Sequence, residues 1–453
     1  MTAGADPQPP VEPAGLPREL VDRFSRPFDR FLRLEAAGGA VLLLVTLGTV
    51  ALVNSPWGAG YLRLWDTQVS VRVGSFALTH TLRSAINDGL MTLFFFLLAL
   101  ELKRELVLGE LKNPRVAALS IAGALGGMIV PAGIYLALLS DRPGSAGWGM
   151  VMATDTAFVV GALALLGTRI PQSLRLFMLS LTVIDDIGAI LVVAFGYSDH
   201  IAWGPLALSV VGVGVVVAMN RAGVRGYPAY VLMGGLVWLA ADASGIQPTA
   251  TGMVLGLLTP VRRWVDDERL YAILDRVVAH PSGNERSGDT KDRQTLQMAE
   301  IAARETLSPV ERLEITLHPW VGFVVLPLFA LANAGFSVSS GNFRSALFLA
   351  VFVGFTLGKP LGVVAFSWMA VRSGIATRPP DLGWRSLIGG GLLAGIGFTM
   401  ALFIANLALT EDQIGTAKLA TFLASAVSGV AGLGLLMGLP TVRGSHGTSS
   451  QSP

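Results

Sequence analysis

Twelve runs of apolar residues, most of them long enough to cross a bilayer, dominate this chain and leave little room for any fold but a membrane-embedded one. A hydrocarbon core of about 30 Å needs about 20 mostly apolar residues in a helix, and fewer where a helix is broken inside protein. The runs centre on residues 34–54, 85–108, 116–139, 148–166, 174–196, 203–220, 227–244, 247–261, 318–334, 345–371, 386–408 and 416–437. Within one chain segment, only a helix satisfies its own backbone in lipid, so the expected fold is all-α and polytopic, with about 12 transmembrane helices. Hydrophobic residues make up 52% of the 453 and charged residues 14%, a balance foreign to soluble domains. The absence of cysteine excludes a disulfide framework, a thiolate metal site and a cysteine nucleophile.

The basic residues fix an expected orientation. Most of the 33 Lys and Arg fall in the N-terminal segment and every second loop, whereas the opposite loops hold only Arg63, Arg72, Arg83, Arg142 and Arg344. By the positive-inside rule both termini face the cytoplasm of a bacterial inner membrane. Short basic clusters between apolar runs suit a lipid surface, and nucleic acid is excluded as a partner. Residues 1–33 are Pro-rich, then basic, without the apolar core and cleavage site of a leader, and read as a cytoplasmic N-terminal segment. The transporter domain spans 34–440, and residues 441–453 form a Ser- and Gly-rich tail expected to be disordered. Residues 61–80 hold alternating stretches around a glycine, expected as an extracytoplasmic β-hairpin whose free edge could join a second copy. Residues 262–317 form a charged cytoplasmic linker, with helical pieces expected near 266–279 and 292–306.

An ionisable side chain in hydrocarbon costs about 2.5–3.5 kcal/mol on the insertion scale, so the few in these runs are functional candidates. They are Asp88, Asp155, Asp185, Asp186 and Lys359. Asp185 and Asp186 are neighbours on a helix and point about 100° apart, so each needs its own partner. One can meet a counter-charge while the other faces a cavity. Asp155 lies in Ala153-Thr154-Asp155-Thr156-Ala157-Phe158, where hydroxyls beside a carboxylate disfavour continuous helix and offer oxygen ligands to a hard cation. The alternative is a plain helix cap. Lys359, deep in its run, either pairs with one of the Asp185-Asp186 carboxylates or reaches for the interface. The Gly-rich stretch Gly395-Ile396-Gly397-Phe398-Thr399-Met400 marks either a helix break or close packing. A polar break at Asp155 and a Gly-rich break at Gly397, Phe398 and Thr399, each in the middle of three spans, outline inverted repeats over about 116–196 and 345–437. Paired discontinuous helices of this kind mark a transport site in mid-membrane.

The order of these segments resembles one family, the NhaA sodium/proton antiporters, from about Arg33 to Met437. The resemblance is carried by Ile86-Asn87-Asp88-Gly89-Leu90-Met91, Leu100-Glu101-Leu102-Lys103-Arg104-Glu105-Leu106, the Asp155 and Asp185-Asp186 segments, His318-Pro319-Trp320, Leu357-Gly358-Lys359-Pro360-Leu361-Gly362 and the stretch around Gly397. It implies two crossed discontinuous helices, with Asp186 as principal ion and proton carrier. It further implies that Asp155 and Thr154 assist and that Asp185 pairs with Lys359. The activity implied is electrogenic, with two protons entering for one sodium or lithium extruded, by a homodimer joined partly through the hairpin, with no cofactor and no metal beyond the transported ion. Glu101, Glu105, Glu314 and His318 resemble the family's pH-responsive cluster. Where the family typically carries Gly-Val-His-Ala-Thr, this chain has Gly245-Ile246-Gln247-Pro248-Thr249; Gln247 cannot titrate, so a shifted pH profile is expected. Rival readings are an intramembrane aspartyl protease, a cation channel, and a proton-coupled carrier of another small solute. The first lacks its Tyr-Asp and Gly-x-Gly-Asp signatures, and the second lacks a filter-like loop.

Overall fold

A computed structural model of the chain describes residues 35–73, 76–107, 114–140, 142–196, 202–224, 227–261, 267–278, 297–302, 306–336 and 342–439. The segments 1–33 and 441–453 lie outside these residues, as does much of the linker 262–317; of its expected helical pieces, Asp267–Val278 is a helix and so is 297–302. Each apolar run contains helix. Among the described residues eight helices are long and apolar enough to cross a membrane, or ten when two bent pairs are each taken as one span. Tyr227–Ala243 and Thr249–Leu258 are shorter apolar helices. The strands Gln68–Val73 and Phe76–Thr81 pair antiparallel, with Gln68 opposite Thr81 and Val73 opposite Phe76.

The helices sort into two bundles. In the first, Pro114–Leu138 packs against Gln172–Gly196 and Lys359–Arg372, while Glu411–Met437 packs against Ala346–Val353, Trp384–Ala394 and Phe398–Ala408. In the second, Leu82–Val107 packs against Thr249–Leu258 and Pro309–Trp320, with Trp203–Arg221 and Tyr227–Ala243 at the periphery. The helix Trp203–Arg221 leaves Leu208, Val210 and Val211 more than 60% exposed, a broad apolar face. Glycine decides how closely the first bundle packs: a Cβ at Gly126 would fall on the carbonyl of Gly362, and one at Gly362 on that of Gly126. Only two facing glycines let these backbones touch.

Three of the long helices are loosened by a π-turn, at Ile86–Leu90, Val321–Val325 and Gly354–Gly358. The latter two come just before Pro327 and Pro360. Proline has no N–H to give to the preceding turn, and a wide turn accommodates the unmatched carbonyls. The turn at Gly354–Gly358 ends where Lys359 begins its helix, placing a lysine at a backbone irregularity in the interior of the first bundle.

Candidate ion-binding site

Two segments of the first bundle abandon the α-helix at the same place. The 3-10 turn Ser145–Met152 ends in extended backbone at Ala153, and a new helix, Thr156–Leu166, starts after Asp155. Trp384–Ala394 breaks at Gly395–Gly397 and resumes as Phe398–Ala408 after a bend of 45°. The breaks meet: the Asp155 N–H donates to the Ile396 carbonyl at 2.6 Å, and a Cβ on Gly397 would lie 2.9 Å from the Ala153 carbonyl oxygen. Glycine at 397 is therefore a condition of the crossing.

Broken helices leave orphan N–H groups at their starts and orphan carbonyls at their ends, with partial positive and negative charge respectively. The side chains around the crossing answer that pattern. The Asp155 carboxylate caps its own helix by accepting from the Phe158 N–H at 3.4 Å, and accepts from the Thr399 N–H at 2.8 Å in the first turn of the other helix. The Thr399 hydroxyl donates to the same oxygen. One buried carboxylate thus joins two helix N-termini. At the opposite poles, the Lys359 ammonium donates to the Met152 carbonyl at the end of the 3-10 turn, and the Thr154 hydroxyl lies 3.1 Å from the Ala394 carbonyl. The cap reading of Asp155 is met by these contacts.

The run Thr154-Asp155-Thr156, where extended backbone turns into helix, distributes three side chains in three directions. Thr154 Oγ1 lies 2.6 Å from Asp185 Oδ2, Thr156 Oγ1 donates to Asp186 Oδ2 at 2.9 Å, and Asp155 turns to Thr399. Lys359 Nζ is 2.9 Å from Asp185 Oδ2, with both side chains fully buried. The neighbouring carboxylates of Gln172–Gly196 therefore occupy different surroundings: Asp185 holds a cation, whereas Asp186 has a hydroxyl and a crevice. That crevice is lined by Leu98, Ala99 and Leu102 of the second bundle, Val183, Ile187 and Ile190 of the first, and Met253. Asp185 Oδ1 and Asp186 Oδ1 are buried without a hydrogen-bond partner among the described residues. Unsatisfied carboxylate oxygens at this depth are costly, and a proton or a small cation relieves them.

Phe398 packs edge-on against Phe158, at 5.7 Å between ring centroids, and so buttresses the crossing. Asp88 stands apart from the Asp155, Asp185 and Asp186 group: it accepts from Ser84 at 2.7 Å and from Gln247 at 3.3 Å. The four residues singled out for pH response gather around Arg104, which lies 2.8 Å from Glu314 and 3.4 Å from Glu105, while His318 lies 3.4 Å from Glu101. Sequence reasoning passed over Thr156 as a contact of Asp186, although it stands in the same polar run. It also passed over the carbonyls of Met152, Ala394 and Ile396, which have no residue-type signature.

Comparison with known proteins decides the family. The sequence profile described as Na+/H+ antiporter 1 matches residues 29–436. The chain belongs to this antiporter family. It is 56% identical over 425 residues to the Na(+)/H(+) antiporter NhaA 2 of Acidiphilium cryptum (strain JF-5), covering 94% of this chain and 95% of the relative. It is 54% identical over 417 residues to the NhaA antiporter of Rhizobium meliloti (strain 1021), covering 92% and 95%. A more distant relative, the NhaA antiporter of Rhodopirellula baltica, is 46% identical over 422 residues, covering 93% and 96%. As an Na+/H+ antiporter family member the chain is a multi-pass membrane transporter and not an enzyme, so the protease reading is set aside.

Proposed function

We propose that this protein extrudes sodium, or lithium, in exchange for protons entering the cytoplasm, with Asp186 as the carrier of either ion. The observation that carries this reading is the split between two adjacent buried carboxylates, Asp185 paired with Lys359 at 2.9 Å and Asp186 facing a crevice with one oxygen unpartnered among the described residues. Burial disfavours the bare carboxylate, so Asp186 is occupied by a proton or a cation whenever it is enclosed. Competition for one site then couples the two fluxes, and the empty charged form does not cross. Asp155, already placed by Thr399 and the two helix N-termini, adds a second carboxylate, and Thr154 and Thr156 add neutral oxygens suited to a hard cation. Lys359 compensates Asp185 while sodium is absent. Sodium displaces one proton from Asp186, and loosening of the pair lets its single shared proton leave, from Lys359 or Asp185, which gives two protons for one sodium and an electrogenic cycle.

The wider reading is of a twelve-span transporter in a bacterial inner membrane with both termini cytoplasmic. Its inverted repeats lie over about 116–196 and 345–437, and two copies join in part through the paired strands. Alternation of basic loops supports the orientation, and the two crossed breaks support the repeats. The Arg104 cluster with Glu101, Glu105, Glu314 and His318 supports pH control at the cytoplasmic end. A carrier of another small solute would share this architecture. The deciding experiment is sodium-dependent collapse of a pre-formed pH gradient in everted vesicles. The native chain collapses it and Asp186→Asn, expressed to the same level, does not. Exchange at the native rate in Asp186→Asn would show that Asp186 is not the carrier.

A further inference from the structure

The seam between the two bundles holds a crevice on one side of Phe95 and packed aromatic rings on the other. Along Leu82–Val107, starting where the paired strands join it, come Asn87, then Phe95 two turns deeper, and then Leu98, Ala99 and Leu102, which line the crevice to Asp186. The crevice thus lies on the Lys103 side of Phe95. On the strand side the seam is filled. Phe95 of the second bundle meets Phe403 of the first at 5.5 Å between centroids, and Phe329 of the second meets the same ring at 6.4 Å. All three rings are buried to 2% exposure or less.

One turn further toward the strands, a carboxamide stands on each of the two elements carrying Phe329 and Phe403. Asn333 follows Phe329 by four residues and Asn406 follows Phe403 by three, so each amide stacks over its ring on one helix face. Asn333 is fully buried and every polar atom is used: Nδ2 donates to Asn87 Oδ1 at 2.6 Å and to the Phe329 carbonyl at 3.0 Å, and Oδ1 accepts from Asn87 at 3.3 Å and from Asn406 at 2.8 Å. Asn87 and Asn333 belong to the second bundle and Asn406 to the first, so the Asn406 bond crosses the seam. It is also the easiest of the four to exchange. Asn406 is only half-buried, and without it Asn333 Oδ1 keeps the bond from Asn87. Asn87 itself rides on the π-turn Ile86–Leu90, a backbone irregularity of the kind that collects at working sites.

We propose that Asn406 and the Asn87–Asn333 pair form a reversible clasp over a plug of Phe95, Phe329 and Phe403, which together hold the strand end of the seam shut while Asp186 is reached from the Lys103 end. The inference rests on the antiport reading in one respect: a carrier with one ion site must expose it to each face in turn, so the shut end must open once per cycle. A bond from the half-buried Asn406 to the buried Asn333, with water able to take the place of Asn406, closes the seam without locking it.

Two experiments use the absence of cysteine in the chain. In the first, Ile190→Cys, a residue lining the Asp186 crevice, is labelled with a membrane-impermeant maleimide from each face in vesicles of either orientation. Labelling is faster from the Lys103 face. Adding Asn406→Ala raises the rate from the strand face about tenfold, the ratio expected when the closed state loses one hydrogen bond. An unchanged strand-face rate in a protein of normal yield and thermal stability overturns the clasp. In the second, Asn333→Cys with Asn406→Cys is bridged by a short reducible bis-thiol reagent, and sodium-proton exchange stops and returns on reduction. Undiminished exchange by fully bridged protein overturns it. Absence of exchange in the native chain would count against antiport alone, because the labelling asymmetry is read without transport.

Discussion

Lys359 and Asp185 are the clearest case of residues that are stable only together. Each is fully buried, and their 2.9 Å contact offsets a desolvation cost that neither could bear alone. Lys359→Ala leaves the Asp185 charge uncompensated and is expected to destabilise the protein by about 3–5 kcal/mol. The double variant Lys359→Gln with Asp185→Asn recovers most of that, as thermal unfolding in detergent would show. If the double variant is no more stable than Lys359→Ala, charge compensation is not what holds the pair. Thr399→Ala tests a smaller effect: the hydroxyl bond to Asp155 goes while the N–H bond remains. It should weaken apparent sodium affinity by about three- to tenfold, the worth of one charge-assisted hydrogen bond, with the folded yield unchanged. At this scale the sequence was informative about which residues matter, because a charge in an apolar run is rare. On partners the residues themselves were silent, and the pairing of Asp185 with Lys359 came only as what the family resemblance implies. Helix geometry gave Asp185 and Asp186 different surroundings without saying which of them meets Lys359; in the folded chain it is Asp185, at 2.9 Å.

At the scale of elements, helix breaks and close helix contacts carry the site. Gly126 and Gly362 face one another across the contact of Pro114–Leu138 with Lys359–Arg372, the helix that begins at Lys359. Gly362→Ala drives a methyl into a backbone carbonyl that cannot yield, and a loss of folded protein or of many degrees in Tm is expected. Gly133→Ala in the same helix as Gly126 meets nothing within 4 Å, and should change stability by no more than about 0.5 kcal/mol. Equal effects of the two substitutions in a thermal-shift measurement would contradict the close-packing account. The breaks at Asp155 and Gly397 could be placed from the sequence, because Thr-Asp-Thr and Gly-x-Gly are poor helix within apolar runs. Their crossing could not, since the Asp155 to Ile396 bond joins residues 241 positions apart whose approach no local pattern encodes.

For the molecule as a whole, the proposed exchange rests on two bundles meeting at a seam, with the Asp186 crevice in the seam and the Arg104 cluster apart from it. On the proposed competition of sodium and proton for one carboxylate, exchange in everted vesicles should rise with pH as protons become scarce. A flat rate between about pH 6.5 and 9 would count against both the competition and the control by the Arg104 cluster. Gln247 lies 3.3 Å from Asp88 and cannot titrate, and Gln247→His is expected to move that profile along the pH axis without changing the maximal rate by more than about twofold. A profile superimposable on that of the native chain would show that this position takes no part in the response.

By itself the sequence determined that the chain lives in a bilayer, where its helices lie, and which ionisable residues had to be explained. These follow from local composition and from the cost of charge in hydrocarbon, which each segment meets on its own. The tertiary structure alone decided how the two helix breaks cross, which side chains line the crevice beside Asp186, and which rings and amides meet across the seam. Those are contacts between distant segments, set by which helix surfaces fit together, and a carboxylate or an amide carries no mark of its future partner until packing brings the two within reach.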